Sequence, residues 1–272
     1  MIGRRIALWP LLRTLSLGAV LAAAWAAGAF ASCLPIAGNP GPRITLARLD
    51  LAGLGPDQVG LTFLGHASFL IESPQGVTAV TDYSGAYRPP VVPDIVTMNR
   101  AHISHFTDSP DPDIKYVLRG WNPEGGKARH DLTYKDMRVR NVPTNIRDFA
   151  GGTIYDGNSI FIFEVGSLCI AHLGHLHHEL LPVHLEAMGP IDVVLVAVDG
   201  AYTIDQAGMI QIMRTIGAPL AIPMHFFGPT TLARFIDLAR KDYQIVMSES
   251  PHVVLSRATL PKEPTLLVLP GH

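Results

Sequence analysis

Twelve histidines stand in a chain of 272 residues, and they are spread unevenly. His172, His175, His177 and His178 lie close together, and His102 and His105 follow directly on the apolar run Asp94-Ile95-Val96-Thr97-Met98. Imidazole is the commonest protein ligand for zinc, and strand-end loops are where a rigid sheet delivers ligands. A single isolated histidine is more often a hydrogen-bonded core or surface residue. Histidines at several separate strand ends point instead to a metal site. Two further groups belong to this chemistry. Asp199 follows the run from Ile191 to Val198 and is read as a base, a ligand, a partner to a histidine, or merely a cap for the turn at Gly200. Arg100 carries a planar fork suited to a phosphate or carboxylate, or it pairs with Asp82 or Asp199.

The elements needed to hold these groups are legible in the hydrophobic pattern. Gly60 to Leu64, Ser68 to Glu72 and Val77 to Val80 are short apolar runs separated by turn residues, which predicts a meander of strands. Val139 to Val142, Ser159 to Glu164 and Leu168 to Ala171 continue the strands, with Ile160, Ile162 and Glu164 alternating with Phe161, Phe163 and Val165. Ile191 to Val198 is apolar on both faces and reads as a central strand, and Leu220 to Pro223 as a short buried one leading to His225. Thr203-Ile204-Asp205-Gln206 reads as a capping box opening a helix to Ile216. Leu232, Phe235, Ile236 and Ala239 fall on one face of a second helix. A β-rich first half followed by strand–helix alternation predicts an α/β sandwich with helices outside two sheets.

Composition sets the compartment and excludes some partners. The chain is 48% hydrophobic and 16% charged, which is incompatible with disorder and sufficient for one large core. Arg4, Arg5 and Arg13 followed by the apolar stretch Leu15 to Ala31 read as an export signal over residues 1–32. Ala29-Phe30-Ala31 suits signal peptidase, and Ala31-Ser32-Cys33 resembles a lipobox. A periplasmic form, a lipoprotein and a retained membrane anchor therefore all stay open, and the only membrane contact expected is through that N-terminal lipid or signal anchor. Residues 33–58, with four prolines, read as a tether to a domain over 59–272. Removing residues 1–32 leaves 18 basic residues against 23 acidic ones, a net charge of −5, which argues against nucleic acid as a partner. Of the two cysteines, Cys169 is a lone buried thiol if Cys33 is lipidated and a candidate disulfide partner if it is not.

Leu61-Thr62-Phe63-Leu64-Gly65-His66-Ala67-Ser68, with Val80-Thr81-Asp82 after it, resembles the opening of metallo-β-lactamase-fold hydrolases. The similar branch is the one with ascorbate-6-phosphate lactonase-like and N-acyl-phosphatidylethanolamine phospholipase D-like proteins. Its His-x-His-x-Asp-His is matched by Arg100-Ala101-His102-Ile103-Ser104-His105, and its His-Leu-Gly-Asp-x-x-His by His172-Leu173-Gly174-His175-Leu176-His177-His178. Its late strand, helix and final histidine are matched by Val198 to Asp205 and Ile222-Pro223-Met224-His225-Phe226. The resemblance implies a four-layer αββα sandwich and a hydrolase of esters, lactones or phosphoesters. It also shows departures: Arg100 replaces a histidine ligand, Ser104 an aspartate and His175 the bridging aspartate, while Val142 to Arg147 lacks the family's mid-chain histidine.

Those departures lead to a rewritten site. Two divalent ions beside a guanidinium would repel by roughly several kcal/mol at low effective dielectric, so one ion is expected, zinc before manganese or iron. His102, His105, His175 and His225 are the expected ligands. Arg100, Asp199 and His178 are the expected catalytic groups, acting on a small-molecule substrate for which Arg100 suggests an anion. His66 and Asp82 are expected behind the ligands, His177 to point elsewhere, and His130, His184, His252 and His272 to lie at the surface. Arg119 to Gly126 is a candidate substrate cover. The rival reading is a non-catalytic member of the fold that has lost its metal and serves as a binding protein.

Overall fold

The structure, a computed structural model, describes residues 53–271. The expected export signal, most of the tether, Cys33 with its choice between lipidation and a disulfide, and His272 lie outside the described residues. Within them the chain opens with β1 (Val59–Gly65), β2 (Ser68–Glu72), β3 (Thr78–Val80), β4 (Ile95–Met98) and β5 (Tyr116–Arg119). There follow β6 (Asp131–Tyr134), β7 (Met137–Arg147), β8 (Thr153–Val165) and β9 (Leu168–His172). The remainder runs α1 (Pro182–Met188), β10 (Val193–Ala197), α2 (Gln206–Ile216), β11 (Leu220–Met224) and α3 (Pro229–Ala239). It closes with β12 (Gln244–Met247), β13 (His252–Leu255) and β14 (Thr265–Val268).

These strands form two sheets. One is six-stranded in the order β13-β1-β2-β3-β4-β5, the other eight-stranded in the order β12-β14-β11-β10-β9-β8-β7-β6. The alternation seen in the sequence is what joins the layers. In β8, Phe161, Phe163 and Val165 pack between the sheets, while Ile160 and Ile162 face the helices. Val193, Leu195 and Ala197 of β10 likewise enter the inter-sheet core, and Val194 and Val196 the helical side. A strand buried on both faces has to be apolar at every position, which is why these runs look continuous.

Helices α2 and α3 cover the outer face of the larger sheet, with Met209, Ile210, Met213, Phe235 and Ile236 in that layer. Asp205 caps α2, its side chain accepting from the Gly208 N–H, and Gly217 ends the helix in the left-handed region. In place of the expected capping box at Thr203 the helix has a simple cap two residues on, because the Thr203 hydroxyl is already bonded to Asp199. The outer face of the smaller sheet is covered, among the described residues, by loops rather than helices, with Tyr83, Ile114 and Trp121 packed on Val80, Val96 and Met98. Trp121 sits edge-on to Phe106 in that layer and anchors the start of the loop at 119–126, whose residues are not among those lining the cavity at the histidine rim.

The topology decides where the chemistry lies. β3–β4–β5 run parallel in one sheet and β9–β10–β11 in the other. Their C-terminal ends deliver Asp82, His102 and His105, His175, Asp199 and His225 to one rim of the sandwich. His66 joins them from the β1–β2 turn.

Candidate metal centre

The rim holds a cluster of imidazoles. One ring nitrogen each from His66, His105 and His225 lies within 4.8 Å of the others, and His105 and His225 are fully buried. His102 and His175 flank this trio. The His175 ring centroid is 4.9 Å from those of His102, His105 and His225, and His102 is 6.2 Å from His105. The tightest trio thus contains His66, which was expected behind the ligands, whereas His102 sits half-buried at its edge.

Backbone and side chains from both sheets hold these rings. His66 (φ 52°), Asp82 (φ 43°) and His225 (φ 55°) are three of the five non-glycine residues with positive φ among the described residues. Such backbone is costly for a side chain and persists only where the surroundings enforce it. The enforcement is visible: the His225 N–H donates to the His66 carbonyl at 2.6 Å, and His172 Nε2 donates to the Ala67 carbonyl at 2.8 Å. His172 Nδ1 in turn accepts from the Gly174 N–H, so this buried ring is neutral with its proton on Nε2.

Each central imidazole is backed by a buried carboxylate. His105 Nδ1 donates to Asp82 Oδ2 at 2.5 Å and His225 Nδ1 to Asp199 Oδ1 at 3.0 Å. In the neutral rings a proton on Nδ1 leaves each Nε2 as a bare lone pair, and the two Nε2 atoms face each other at 3.1 Å. Two lone pairs cannot hydrogen-bond to one another, so the pair needs an electrophile between or beside it. A carboxylate behind each ligand imidazole is the usual arrangement around a metal. The donor set therefore fits a cation.

The carboxylates are themselves fixed. Asp199 accepts from the N–H groups of Ala201, Tyr202 and Thr203 and from the Thr203 hydroxyl. Burial would raise its pKa, but the bonds from His225 and Thr203 hold it well below the usual carboxylate range. Both oxygens are thus occupied by donors, and Asp199 fixes the orientation of His225. Burial would likewise raise Asp82, yet His172, His105 and Asn99 keep its pKa below normal. Asn99 donates to Asp82 at 2.9 Å and accepts from the Ser159 N–H, while Asn158 accepts from the His175 N–H. Gly174 (φ +61°) lets both amides close in: a Cβ there would lie 2.5 Å from each. Neither Asn99 nor Asn158 was expected at the site. Asn99 directly follows β4, just before the histidine loop, and that position is the one signal that could have found it.

The remaining expected site residues are placed as follows. His177, not His178, reaches the cluster, its Nε2 lying 2.5 Å from His175 Nδ1. The chain leaves extended geometry after His172, which reverses the alternation assumed for a continuing strand. His178 is turned towards the backbone of Ile146. Arg100 is exposed and makes no ion pair among the described residues; Asp82 and Asp199 are taken by histidines instead. His252, expected at the surface, is buried and bonded to Thr62. His130 binds the Arg119 carbonyl. Burial, then the neighbouring rings, lowers the pKa of His66 to about 3 and that of His102 and His175 below normal.

A cavity of about 1160 Å³ opens onto His66, His102 and His225. Its walls are mostly apolar, and Ile103, Tyr202, Phe227 and Met247 ring it while remaining more than half exposed.

Comparison with known proteins agrees with this architecture. The family described as "Beta-lactamase superfamily domain" matches residues 60–225. A "UPF0173 metal-dependent hydrolase" of Methanosphaerula palustris is 25% identical over 181 residues, covering 61% of this chain and 83% of that protein. One from Thermoplasma volcanium is 23% identical over 194 residues, covering 62% and 83%. Among solved structures, a candidate Zn-dependent hydrolase of the metallo-beta-lactamase superfamily from Thermotoga maritima superposes with a TM-score of 0.57 at 28% identity, covering 78% of this chain and 98% of that one. A family match over most of the described chain, the two-sheet sandwich and the histidine-lined rim agree: the chain belongs to the metallo-β-lactamase-fold hydrolase superfamily.

Proposed function

We propose that the protein is an exported hydrolase that binds one divalent ion, zinc before manganese or iron, and cleaves a small ester, lactone or phosphoester with an apolar substituent. The observation that carries this reading is the facing pair of bare Nε2 atoms on His105 and His225, each backed by a buried carboxylate. His105, His225 and His66 would hold the ion. Ser104 supports that role by hydrogen-bonding to His66 Nε2 at 3.1 Å, which fixes the ring. The ion, when bound, supplies Lewis-acid activation of a water and of the scissile group.

Charge supports a single ion. Asp82 and Asp199 place two negative charges directly behind the ligands, which offsets one divalent cation. A second would leave two positive charges uncompensated in a buried site, at a cost of roughly several kcal/mol. The chain's own residues then orient substrate. His102 lies at the cavity face beside Tyr202, and the apolar walls exclude water from the bond to be cleaved. The exposed Arg100 lies outside the cavity lining and has no part in the proposal. Export rests on the basic start and the apolar stretch up to Ala31.

The test is elemental analysis of the untagged protein, with a panel of esters, lactones and phosphoesters of increasing apolar size. About one ion per chain is expected, lost in His105→Ala and His225→Ala, with turnover rising as the apolar group grows. No bound metal after soaking in zinc, manganese and iron would overturn the reading.

A further inference from the structure

The ring nitrogens of His175 and His177 have their protons fixed by a chain of hydrogen bonds that starts in the backbone. The Arg147 N–H donates to His177 Nδ1 at 2.8 Å, and the Arg147 Nε–H approaches the same atom at 3.4 Å. His177 Nδ1 is therefore an acceptor, and the neutral ring carries its proton on Nε2. That Nε2 lies 2.5 Å from His175 Nδ1, so it is the donor and His175 Nδ1 the acceptor. The neutral His175 ring must then carry its own proton on Nε2. This Nε2 is buried and has no partner within the described residues.

From this geometry we infer that His175 is a hydrogen-bond donor aimed at a bound oxygen rather than a ligand to the ion. The inference rests on the hydrolase reading for its setting. Binding a cation through His175 Nε2 requires a lone pair there and a proton on Nδ1. His177 would then need lone pairs on both of its nitrogens, which a neutral imidazole does not have. His105 and His225 show the opposite pattern, with carboxylates accepting from Nδ1 and Nε2 left bare. The cluster thus contains two kinds of imidazole set by what lies behind them: a carboxylate makes a ligand, and an imidazole donor makes a donor. The occupant that satisfies His175 is an oxygen carrying negative charge, as on the tetrahedral centre of an ester or phosphoester under attack. His175 is in this role a positioning and charge-stabilising group.

Long-range ¹H–¹⁵N correlation of the ¹⁵N-histidine-labelled, metal-free protein at neutral pH reports each tautomer without reference to activity. His175 and His177 are expected protonated at Nε2, and His105 and His225 at Nδ1. Backbone-linked assignment of the native protein makes this independent of whether any variant folds. A proton on His175 Nδ1 would overturn the inference. Competition titration with zinc provides the second arm. His175→Gln, which keeps a side-chain donor, is expected to hold zinc within threefold of the native protein, whereas His105→Ala loses it. In His177→Glu a carboxylate replaces the donor behind His175, frees its Nε2 lone pair, and is expected to tighten zinc binding at least threefold. Loss of zinc in His175→Gln equal to that in His105→Ala would also overturn it. Failure of the hydrolase reading would instead appear as absent turnover with the tautomers as stated.

Discussion

Replacing Asp199 with asparagine isolates what the carboxylate behind His225 does. Oδ2 of Asp199 accepts from three backbone N–H groups, and Oδ1 accepts from His225 Nδ1. In Asp199→Asn the amide oxygen is held by those three N–H groups, so the NH₂ takes the position of Oδ1. The new amide therefore donates to His225 Nδ1 instead of accepting from it. His225 then carries its proton on Nε2, which faces His105 Nε2 at 3.1 Å and closes as an ordinary hydrogen bond. The lone pair offered to the ion is lost until the ring moves its proton back to Nδ1. That reversal forfeits two neutral hydrogen bonds, the amide's to Nδ1 and the one to His105, together about 2 kcal/mol. It corresponds to roughly a 30-fold loss of metal affinity, within the range of about 10- to 100-fold typical of groups behind a ligand. The assay is competition titration with zinc, beside far-ultraviolet circular dichroism to confirm the fold. The metal-free variant should unfold within about 1 kcal/mol of the native protein, because the new His225–His105 bond offsets part of the loss. Zinc affinity within threefold of native, with His105→Ala still abolishing binding, would refute the argument.

Chelation should lower the melting temperature of the native protein but not of a His105→Ala/His225→Ala double variant, since an ion at about 1,000 times its Kd stabilises by about 4 kcal/mol. Phe163→Ala, at a fully buried position between the sheets, should cost about 3–5 kcal/mol in a denaturant titration. Gly174→Ala places a Cβ against Asn158 and Asn99 at positive φ, so it should lower stability by about 1–3 kcal/mol and weaken zinc binding as well. Burial lowers the pKa of His66 to about 3 and of His177 to about 4, against an ordinary 6.5. The unfolded chain therefore binds more protons below pH 6.5, and the metal-free protein should lose stability as pH falls from 6.5 towards 4. His177→Gln should flatten that slope in denaturant titrations at about pH 6.5 and pH 5.

Most of the sandwich was legible because its central strands are buried on both faces. The runs in β8, β10 and β11 have no other stable placement, and their alternation foretells which side chain enters which layer. Short strands with half-exposed patterns, such as β6 and β12, carry no such signal, and neither does the short helix α1. At the site, residue type revealed the histidines, but facing depends on backbone. His66 appears in the trio because a positive φ at the β1–β2 turn swings it inward, and hydrophobic periodicity does not report that. His177 and His178 exchanged roles because the chain bends after His172. The tertiary partners that select each tautomer, Asp82, Asp199 and the Arg147 backbone, lie up to 30 residues away and only the fold joins them.

The buried carboxylates connect this site to the stability of the fold. Burying a charge is unfavourable unless it is paired, and breaking one partner of such a pair costs about 3–5 kcal/mol. Asp82 and Asp199 are each buried against a histidine, and amides and backbone N–H groups share in the compensation. A cation at His105 and His225 would complete it through the rings. The loops after β3, β4, β10 and β11 would on the proposed reading gain stability from the ion they position, since a site assembled only in the folded chain makes binding energy part of the folding energy.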